Sequence, residues 1–189
     1  MNKLLLGLIF IFYNLLCNAQ DITKIPELDR SGMDMSYYPN LYPLLKFQGK
    51  ITTAPIARVI YGRPHKDGRV IYGDLIKYNE LWRVGANEAT EIEFFKDVKI
   101  NNTKVLKGRY TLYCIPTTTN WTFIINRDTD TWGAFKYSQA KDVIRIKSPV
   151  STLNYVVENL AIYFDKVNDH SCTMHLAWDN LMSDIVISF

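Results

Sequence analysis

Short runs in which hydrophobic and polar residues alternate recur along most of the chain. This period-two alternation is typical of β-strands that bury one face. Turn-forming pairs such as Asn101-Asn102 and Asp179-Asn180 separate the runs. The pattern therefore predicts an all-β fold, an antiparallel β-sandwich of jelly-roll-like type. The predicted strands are residues 57–61, 91–95, 98–100, 109–115, 121–126, 143–147, 160–164, 172–178 and 184–189.

Two segments depart from the alternation. Asp74 can cap a short helical turn over residues 75–82, with Leu75, Ile76 and Trp82 on one face. Residues 20–48 are interrupted by several prolines and predict an extended N-terminal arm. We therefore expect an arm over 20–48 and a single β-sandwich domain over 49–189.

The first nineteen residues have the form of a secretory signal peptide. A cationic start is followed by an apolar run from Leu4 to Leu16 and by small residues that end at Ala19. Later residues contain no comparable apolar stretch. We expect cleavage after Ala19, export to the periplasm or the extracellular space, and no transmembrane segment in the mature protein.

Export changes how the cysteines are interpreted, because an oxidising compartment permits disulfides. Cys114 and Cys172 follow the predicted signal peptide, and the alternation directs both side chains inward. They are a candidate disulfide, and two buried free thiols are the alternative.

Composition narrows the function classes. The chain has 189 residues, 48% of them hydrophobic and 22% charged, with a net charge of +3. These values fit one folded domain and give no reason to expect nucleic acid. His170, Cys172 and His175 are poorly placed as a metal cluster, because alternation puts His175 on the face opposite Cys172. The sequence predicts no metal, and no nucleotide-binding or hydrolase motif points to a cofactor.

The most unusual segment combines arginines, small residues and aromatic residues. Its central part is Trp82-Arg-Val-Gly-Ala-Asn-Glu-Ala-Thr90, which follows the elements Tyr61–Pro64 and Gly68–Gly73. Small residues beside polar ones let backbones approach closely and leave room next to the polar groups. The candidate ligand-binding residues are Arg63, Arg69, Trp82, Arg83, Asn87, Glu88 and Trp132.

On these motifs the sequence resembles the exported bacterial proteins grouped as domain of unknown function 2911, whose hallmark is W-R-x-G-A-N-E-A-T. The resemblance extends to Gly108–Leu112, Trp132-Gly133 and Asp142-Val143, and in the arm to Leu28–Met35. Gly62 and Gly32 depart from the family pattern, which has serine and proline there. The resemblance implies a β-rich exported domain and no established activity, cofactor or catalytic residue.

Two interpretations of the central motif remain open. In the first, Arg83 and Glu88 form a buried ion pair that braces the loop, with Asn87 satisfying backbone groups. In the second, the arginines form an open site for an anion or a carbohydrate, with Trp82 or Trp132 as a stacking surface.

We therefore expect a binding or envelope-accessory module for a polar small molecule or glycan. One alternative is a hydrolase or isomerase that uses Glu88 as general base and an arginine as electrostatic stabiliser. Another is a purely structural domain whose arm contacts a protein partner.

Overall fold

The structure is a computed structural model, and it describes residues 27–189. The predicted signal peptide and the start of the predicted arm lie outside these residues. The described chain contains nine strands and one α-helix. The elements are β1 (Met33–Tyr38), α1 (Tyr42–Phe47), β2 (Ala57–Gly62), β3 (Glu91–Phe94), β4 (Val98–Ile100), β5 (Thr103–Val105), β6 (Gly108–Pro116), β7 (Asn120–Asn126), β8 (Asp142–Asn168) and β9 (Ser171–Ser188).

All strand pairs are antiparallel, which confirms the predicted all-β class. The strands form one sheet in the order β1-β2-β3-β6-β7-β8-β9-β4-β5. The two layers expected of a sandwich therefore belong to one continuous sheet.

The long strand β8 takes part in both halves of the sheet. Its first part pairs with β7, from Asp142 to Pro149, and its later part pairs with β9, from Val150 to Asn168. The far part of β8 also meets the other end of the sheet, where Ser36 Oγ donates to the Ile162 carbonyl at 2.6 Å. Asn40 Nδ2 similarly donates to the Phe164 carbonyl at 2.7 Å. The sheet therefore curls until its first strand lies beside β8.

The main hydrophobic core lies inside this curl. It combines residues from every strand, with Trp121, Trp178 and Phe164 among its largest fully buried side chains. A second, smaller cluster lies apart from it and contains Ala89, Tyr113 and Ile124. Tyr113 and Ile124 are direct neighbours across β6 and β7. The alternation along these strands places them on the face opposite the main core.

The N-terminal segment is more integrated than an extended arm. Residues Met33–Tyr38 pair with β2 over six positions, and helix α1 follows at once. The predicted helical turn over 75–82 is wrong, because this segment forms turns and a short bridge between Tyr72 and Ile76. Asn79 has a φ of 63° there, which is incompatible with a helix. No helix within residues 27–189 is long and apolar enough to cross a membrane.

Candidate functional site

The central motif begins inside the core. The Trp82 N–H donates to the Cys114 carbonyl at 2.7 Å, and the Cys114 N–H donates back at 2.9 Å. The Trp82 ring is stacked on Trp178 with centroids 6.4 Å apart, and only 7% of the residue is exposed. The Trp82 ring, a predicted stacking surface for a ligand, therefore packs in the core, and the residue also lines a surface cavity.

The motif then turns sharply. Val84, Gly85 and Asn87 have φ values of 60°, 150° and 60°, all in a region that favours glycine or asparagine. Thr90 closes the turn: its N–H donates to the Arg83 carbonyl at 3.0 Å, and its buried hydroxyl donates to the Val84 carbonyl. The glycine and threonine of the hallmark thus fix the backbone of a tight loop.

This loop lies directly against the end of β2. A Cβ atom placed on Gly62 would overlap the Ala86 carbonyl oxygen, and one on Gly85 would lie 2.8 Å from the Gly62 carbonyl oxygen. The backbones of β2 and of the hallmark loop are therefore in contact at the position where the family resemblance predicts a serine. Gly62 removes that side chain and lets the loop approach.

Two candidate ligand residues bind the N-terminal segment instead. Arg63 Nη1 donates to Asp34 Oδ2 at 2.7 Å, and its Nε donates to the Leu160 carbonyl at 3.0 Å. Asn87 Nδ2 donates to Asp29 Oδ2 at 2.8 Å. The predicted arm and the central motif are thus fastened to each other, which is a structural role for Arg63 and Asn87.

Arg69 is also engaged within the protein. Its guanidinium donates to the carbonyls of His65 and Lys66 in its own loop. Lys66 anchors this loop to β9 through Asp179, at 3.0 Å. Arg69 therefore uses two of its five N–H donors to shape its own loop.

Arg83 and Glu88 do not form the predicted ion pair. Glu88 is exposed and lines a small depression of about 170 Å³ beside Met33 and Ile60. Arg83 lines a different cavity. The interpretation of this pair as a structural brace is therefore wrong, because the turn at 84–87 directs the two side chains into different cavities.

Trp132 belongs to a loop that crosses the second cluster. The Ala89 N–H donates to the Thr131 carbonyl at 3.0 Å, and the Gly133 N–H donates to the Asn87 carbonyl at 3.1 Å. The Trp132 side chain is 62% exposed. It is the member of the predicted set whose ring remains free to stack on a ligand.

A polar network anchors the far end of this loop. Asp142 accepts from Tyr137 Oη at 2.7 Å, from Arg145 Nε at 2.8 Å and from Asn126 Nδ2 at 2.7 Å. The Tyr137 ring packs edge-on against Tyr113, with centroids 5.3 Å apart. The loop is therefore held firmly over the outer face of β6 and β7.

A cavity of about 340 Å³ opens between this loop and the segment that precedes the central motif. Its volume is in the lower part of the range of roughly 300–1,000 Å³ that small-molecule sites occupy. Its wall is partly apolar, and the Phe135 ring is 86% exposed there. The cavity is lined by Leu75, Ile76, Lys77, Glu80, Leu81, Trp82, Arg83, Ala134 and Phe135.

Arg83 is the unusual member of this cavity. Its Nε is buried and has no hydrogen-bond partner within residues 27–189. The side chain enters no ion pair in the same part of the chain. Burial lowers the pKa of Arg83, and no neighbouring carboxylate offsets that effect. The cavity therefore presents a half-buried cation whose hydrogen-bonding capacity is unused.

The remaining titratable candidates lie elsewhere. Cys114 and Cys172 are free, buried thiols, so the candidate disulfide is not formed. Burial raises the pKa of Cys172 to about 12 and raises the pKa of Cys114 well above its ordinary value. His175 lies between Asp165 and Asp184, with ring nitrogens 3.3 and 2.7 Å from their carboxylates. No cluster of ligating side chains within residues 27–189 has the arrangement of a metal site.

Sequence reasoning named Arg83 but missed what surrounds it. The sequence does not single out Lys77 or Phe135, because the first lies in a segment predicted to be helical and the second carries no polar group and follows the Trp132-Gly133 motif. In the structure Gly133 has a φ of 65°, and the Phe135 ring folds back over it, an arrangement that the sequence does not announce.

A comparison with known protein families finds a match over most of the chain. Residues 43–187 match the family described as protein of unknown function (DUF2911). The chain belongs to this family. The DUF2911 match includes the central motif, Arg83 and Phe135, whereas Asp29 and Asp34 precede it. No curated protein and no solved structure matches the chain.

Proposed function

We propose that the protein is a binding module for a small organic acid, which it holds in the cavity around Arg83. The observation that carries the proposal is the buried Nε of Arg83, which has no partner within residues 27–189. An unpaired, half-buried charge costs several kcal/mol in principle, so a resident arginine without a counter-ion is expected where a ligand supplies one.

The chemistry of the wall defines the ligand class. A guanidinium offers a planar fork of N–H donors that matches a carboxylate in a bidentate arrangement. Lys77 is paired with Asp74 at 3.5 Å, and Glu80 adds one negative charge to the wall. Arg83 is therefore the lining cation without an ion-pair partner among residues 27–189, and a single unpaired cation favours a monoanion. Leu81 and Phe135 supply an apolar surface for the body of that ligand.

Glu88 does not support the enzymatic alternative in this cavity. A general base must come within hydrogen-bond reach of the group it deprotonates. Glu88 and Arg83 line separate cavities, so an acid bound to Arg83 lies away from the Glu88 carboxylate. Binding without chemistry is the function that this geometry favours.

The test uses 3-phenylpropionate as a probe and its uncharged amide as the matched analogue. We expect the probe to shift the Arg83 Nε–H signal in NMR spectra and the amide to leave it unchanged. Arg83→Gln should weaken binding by roughly tenfold or more, as for loss of a hydrogen-bonded charge.

Two controls make the result decisive. Arg69→Gln removes an arginine that bonds to its own loop, so binding should be retained. Thermal melting should show Arg83→Gln at least as stable as the wild type, because an unpaired buried charge is removed. Equal binding of acid and amide, or unchanged binding in Arg83→Gln, would contradict the proposal.

A further inference from the structure

Glu88 and Trp132 face each other across a single antiparallel bridge between the central motif and the loop that crosses the second cluster. The N–H groups of Ala89 and Gly133, the residues that follow them, donate across the bridge at 3.0 and 3.1 Å. Glu88 and Trp132 therefore occupy a non-hydrogen-bonded position, where opposite Cα atoms are about 4.5 Å apart and the side chains share one face. The backbone thus holds a carboxylate beside an indole ring.

Both side chains are accessible to a ligand. Trp132 is 62% exposed, whereas the other three tryptophans, Trp82, Trp121 and Trp178, are at most 7% exposed. Glu88 is also exposed, and its carboxylate enters no ion pair within residues 27–189. Trp132 is therefore the indole that a solute can reach, and an unpaired negative charge lies next to it.

Glu88 also lines the depression of about 170 Å³, whose apolar wall is formed by Met33 and Ile60. The Met33 residue is 52% exposed, so its flexible thioether side chain presents apolar surface to a ligand. The volume lies below the range of roughly 300–1,000 Å³ in which whole small molecules bind. The depression therefore suits one compact group with an apolar surface.

The other carboxylates of the depression are already paired. Arg109 lies between them: its Nε is 3.3 Å from Glu91 Oε2, and its Nη2 donates to Asp130 Oδ2. The Asp130 N–H also donates to Glu91 Oε1 at 2.6 Å. Glu88 is therefore the lining carboxylate without an ion-pair partner in the described part of the chain, and a single unpaired negative charge favours a monocation.

We propose that Glu88 and Trp132 form a binding site for a small organic ammonium cation that carries alkyl groups. The face of an indole ring attracts a cation more strongly than the other aromatic side chains do. The Glu88 carboxylate supplies the counter-charge, and Met33 and Ile60 contact the alkyl groups. The proposal is independent of the Arg83 cavity, which selects for the opposite charge.

The polar groups of the site favour an ammonium cation over a sugar. A sugar ring that stacks on an indole also brings several hydroxyl groups, and each costs free energy if it loses water without gaining a partner. Thr131 Oγ1 is already 3.3 Å from Tyr113 Oη, and Arg109 holds the two other carboxylates. An alkylated ammonium group needs one counter-charge and an aromatic face, which Glu88 and Trp132 supply.

The test titrates the full chain with choline and with 3,3-dimethylbutan-1-ol, an uncharged analogue in which carbon replaces the quaternary nitrogen. The indole N–H signal of Trp132 in NMR spectra locates the site, and saturation transfer to the choline methyl groups measures the affinity. We expect choline to shift the Trp132 signal and the alcohol to leave it unchanged. High salt should weaken the binding of choline, because exposed charges are screened.

Two variants remove the two parts of the site separately. Glu88→Gln keeps the shape of the side chain and removes its charge, so it should weaken choline binding by about threefold or more. Trp132→Leu keeps an apolar side chain and removes the aromatic face, so it should weaken binding by about fivefold.

Matched variants outside the site serve as controls. Asp67→Asn removes another exposed carboxylate at a residue with a φ of 51°, which asparagine accepts. Tyr155→Leu removes another aromatic ring, from a residue that is 60% exposed. Both variants should bind choline like the wild type, and circular dichroism should show all four variants folded.

Several results would overturn the proposal. Equal responses to choline and to the alcohol would show that the charge is not recognised. Unchanged choline binding in Glu88→Gln, or equal losses in the control variants, would show that the cation does not bind at this pair. A Trp132 signal that shifts with glucose and not with choline would assign the site to a sugar.

Discussion

The contact between Gly62 and Ala86 shows how one missing side chain determines a local structure. The end of β2 and the hallmark loop touch through their backbones, and the space a Cβ would need is occupied by a carbonyl oxygen. Close approach of this kind is a reason for glycine that does not depend on an unusual φ.

Gly62→Ala should therefore destabilise the protein by about 1–3 kcal/mol, the usual cost of inserting atoms into a packed site. The other glycine that departs from the family pattern is a matched control. No atom lies within 4 Å of the position that a Cβ on Gly32 would take, so Gly32→Ala should be neutral or slightly stabilising. Urea titration of both variants measures the difference, and equal midpoints would contradict the close contact.

Asn87 illustrates how a backbone requirement and a side-chain contact can be separated at one residue. Its φ of 60° suits glycine equally well, while its amide holds Asp29. Asn87→Gly therefore removes the contact without straining the turn.

We expect Asn87→Gly to accelerate trypsin cleavage after Arg30, because the segment around Asp29 loses its anchor. Asn79→Gly makes the same substitution at a second asparagine with a positive φ, which is exposed, and it should leave this cleavage unchanged. Mass spectrometry identifies the cleavage site. Equal acceleration in both variants would show that the effect does not pass through Asp29.

At the scale of elements, alternation located most of the sheet. The predicted strand 98–100 coincides with β4, and 57–61 and 121–126 each fall one residue short of β2 and β7. Strands β2 and β4 bury alternate residues along most of their length, which is the condition under which alternation is informative. Strand β1 was missed because its burial alternates weakly and Pro39 follows it at once.

The predictions of the longest strand and of the short helix failed for different reasons. The middle of β8 is largely exposed and carries an irregular register opposite β9, so the sequence shows two separate runs where the chain forms one strand. Helix α1 has six residues, too few for a helical period to appear, and it starts beside Pro43. Tertiary contacts through Tyr42, rather than local propensity, hold it in place.

The candidate site could also be predicted from the sequence only in part. The sequence identified Arg83 as unusual, but the turn at Val84–Asn87 decides which residues meet it. Spacing along the chain placed Glu88 beside Arg83, whereas the structure places Lys77 and Phe135 there. Residue types that carry chemistry can be recognised from sequence, and their partners depend on loop geometry that alternation does not describe.

At the scale of the whole molecule, the two buried thiols report on global unfolding. Because burial raises the pKa of Cys172 to about 12 and that of Cys114 well above its ordinary value, the folded protein holds almost no thiolate at pH 8. In a Cys17→Ala background, we expect a thiol-specific reagent to label both residues only as fast as the protein unfolds in urea.

The raised pKa values of Cys114 and Cys172 also make the stability of the protein depend on pH. Thiols of the unfolded chain ionise near pH 8.5, while the folded thiols stay protonated. The contribution of these two groups to the free energy of unfolding is therefore complete below about pH 8.5. It is lost as the pH rises toward about 12, the pKa of Cys172 in the folded protein. Labelling of one cysteine in the native state would show a local opening instead. Absence of labelling in urea until a reductant is added would show that the disulfide forms.

The curl of the sheet imposes an order on folding. Ser36 in β1 meets Ile162 in β8 across 126 positions of the chain, and β8 in turn needs β9 as its partner. Contacts this distant in sequence close late, because the loop entropy must be lost before they form. The ribosome must therefore synthesise nearly the whole chain before β1 can contact β8. Until then, the edge of β1 remains open as a template on which a foreign strand can pair.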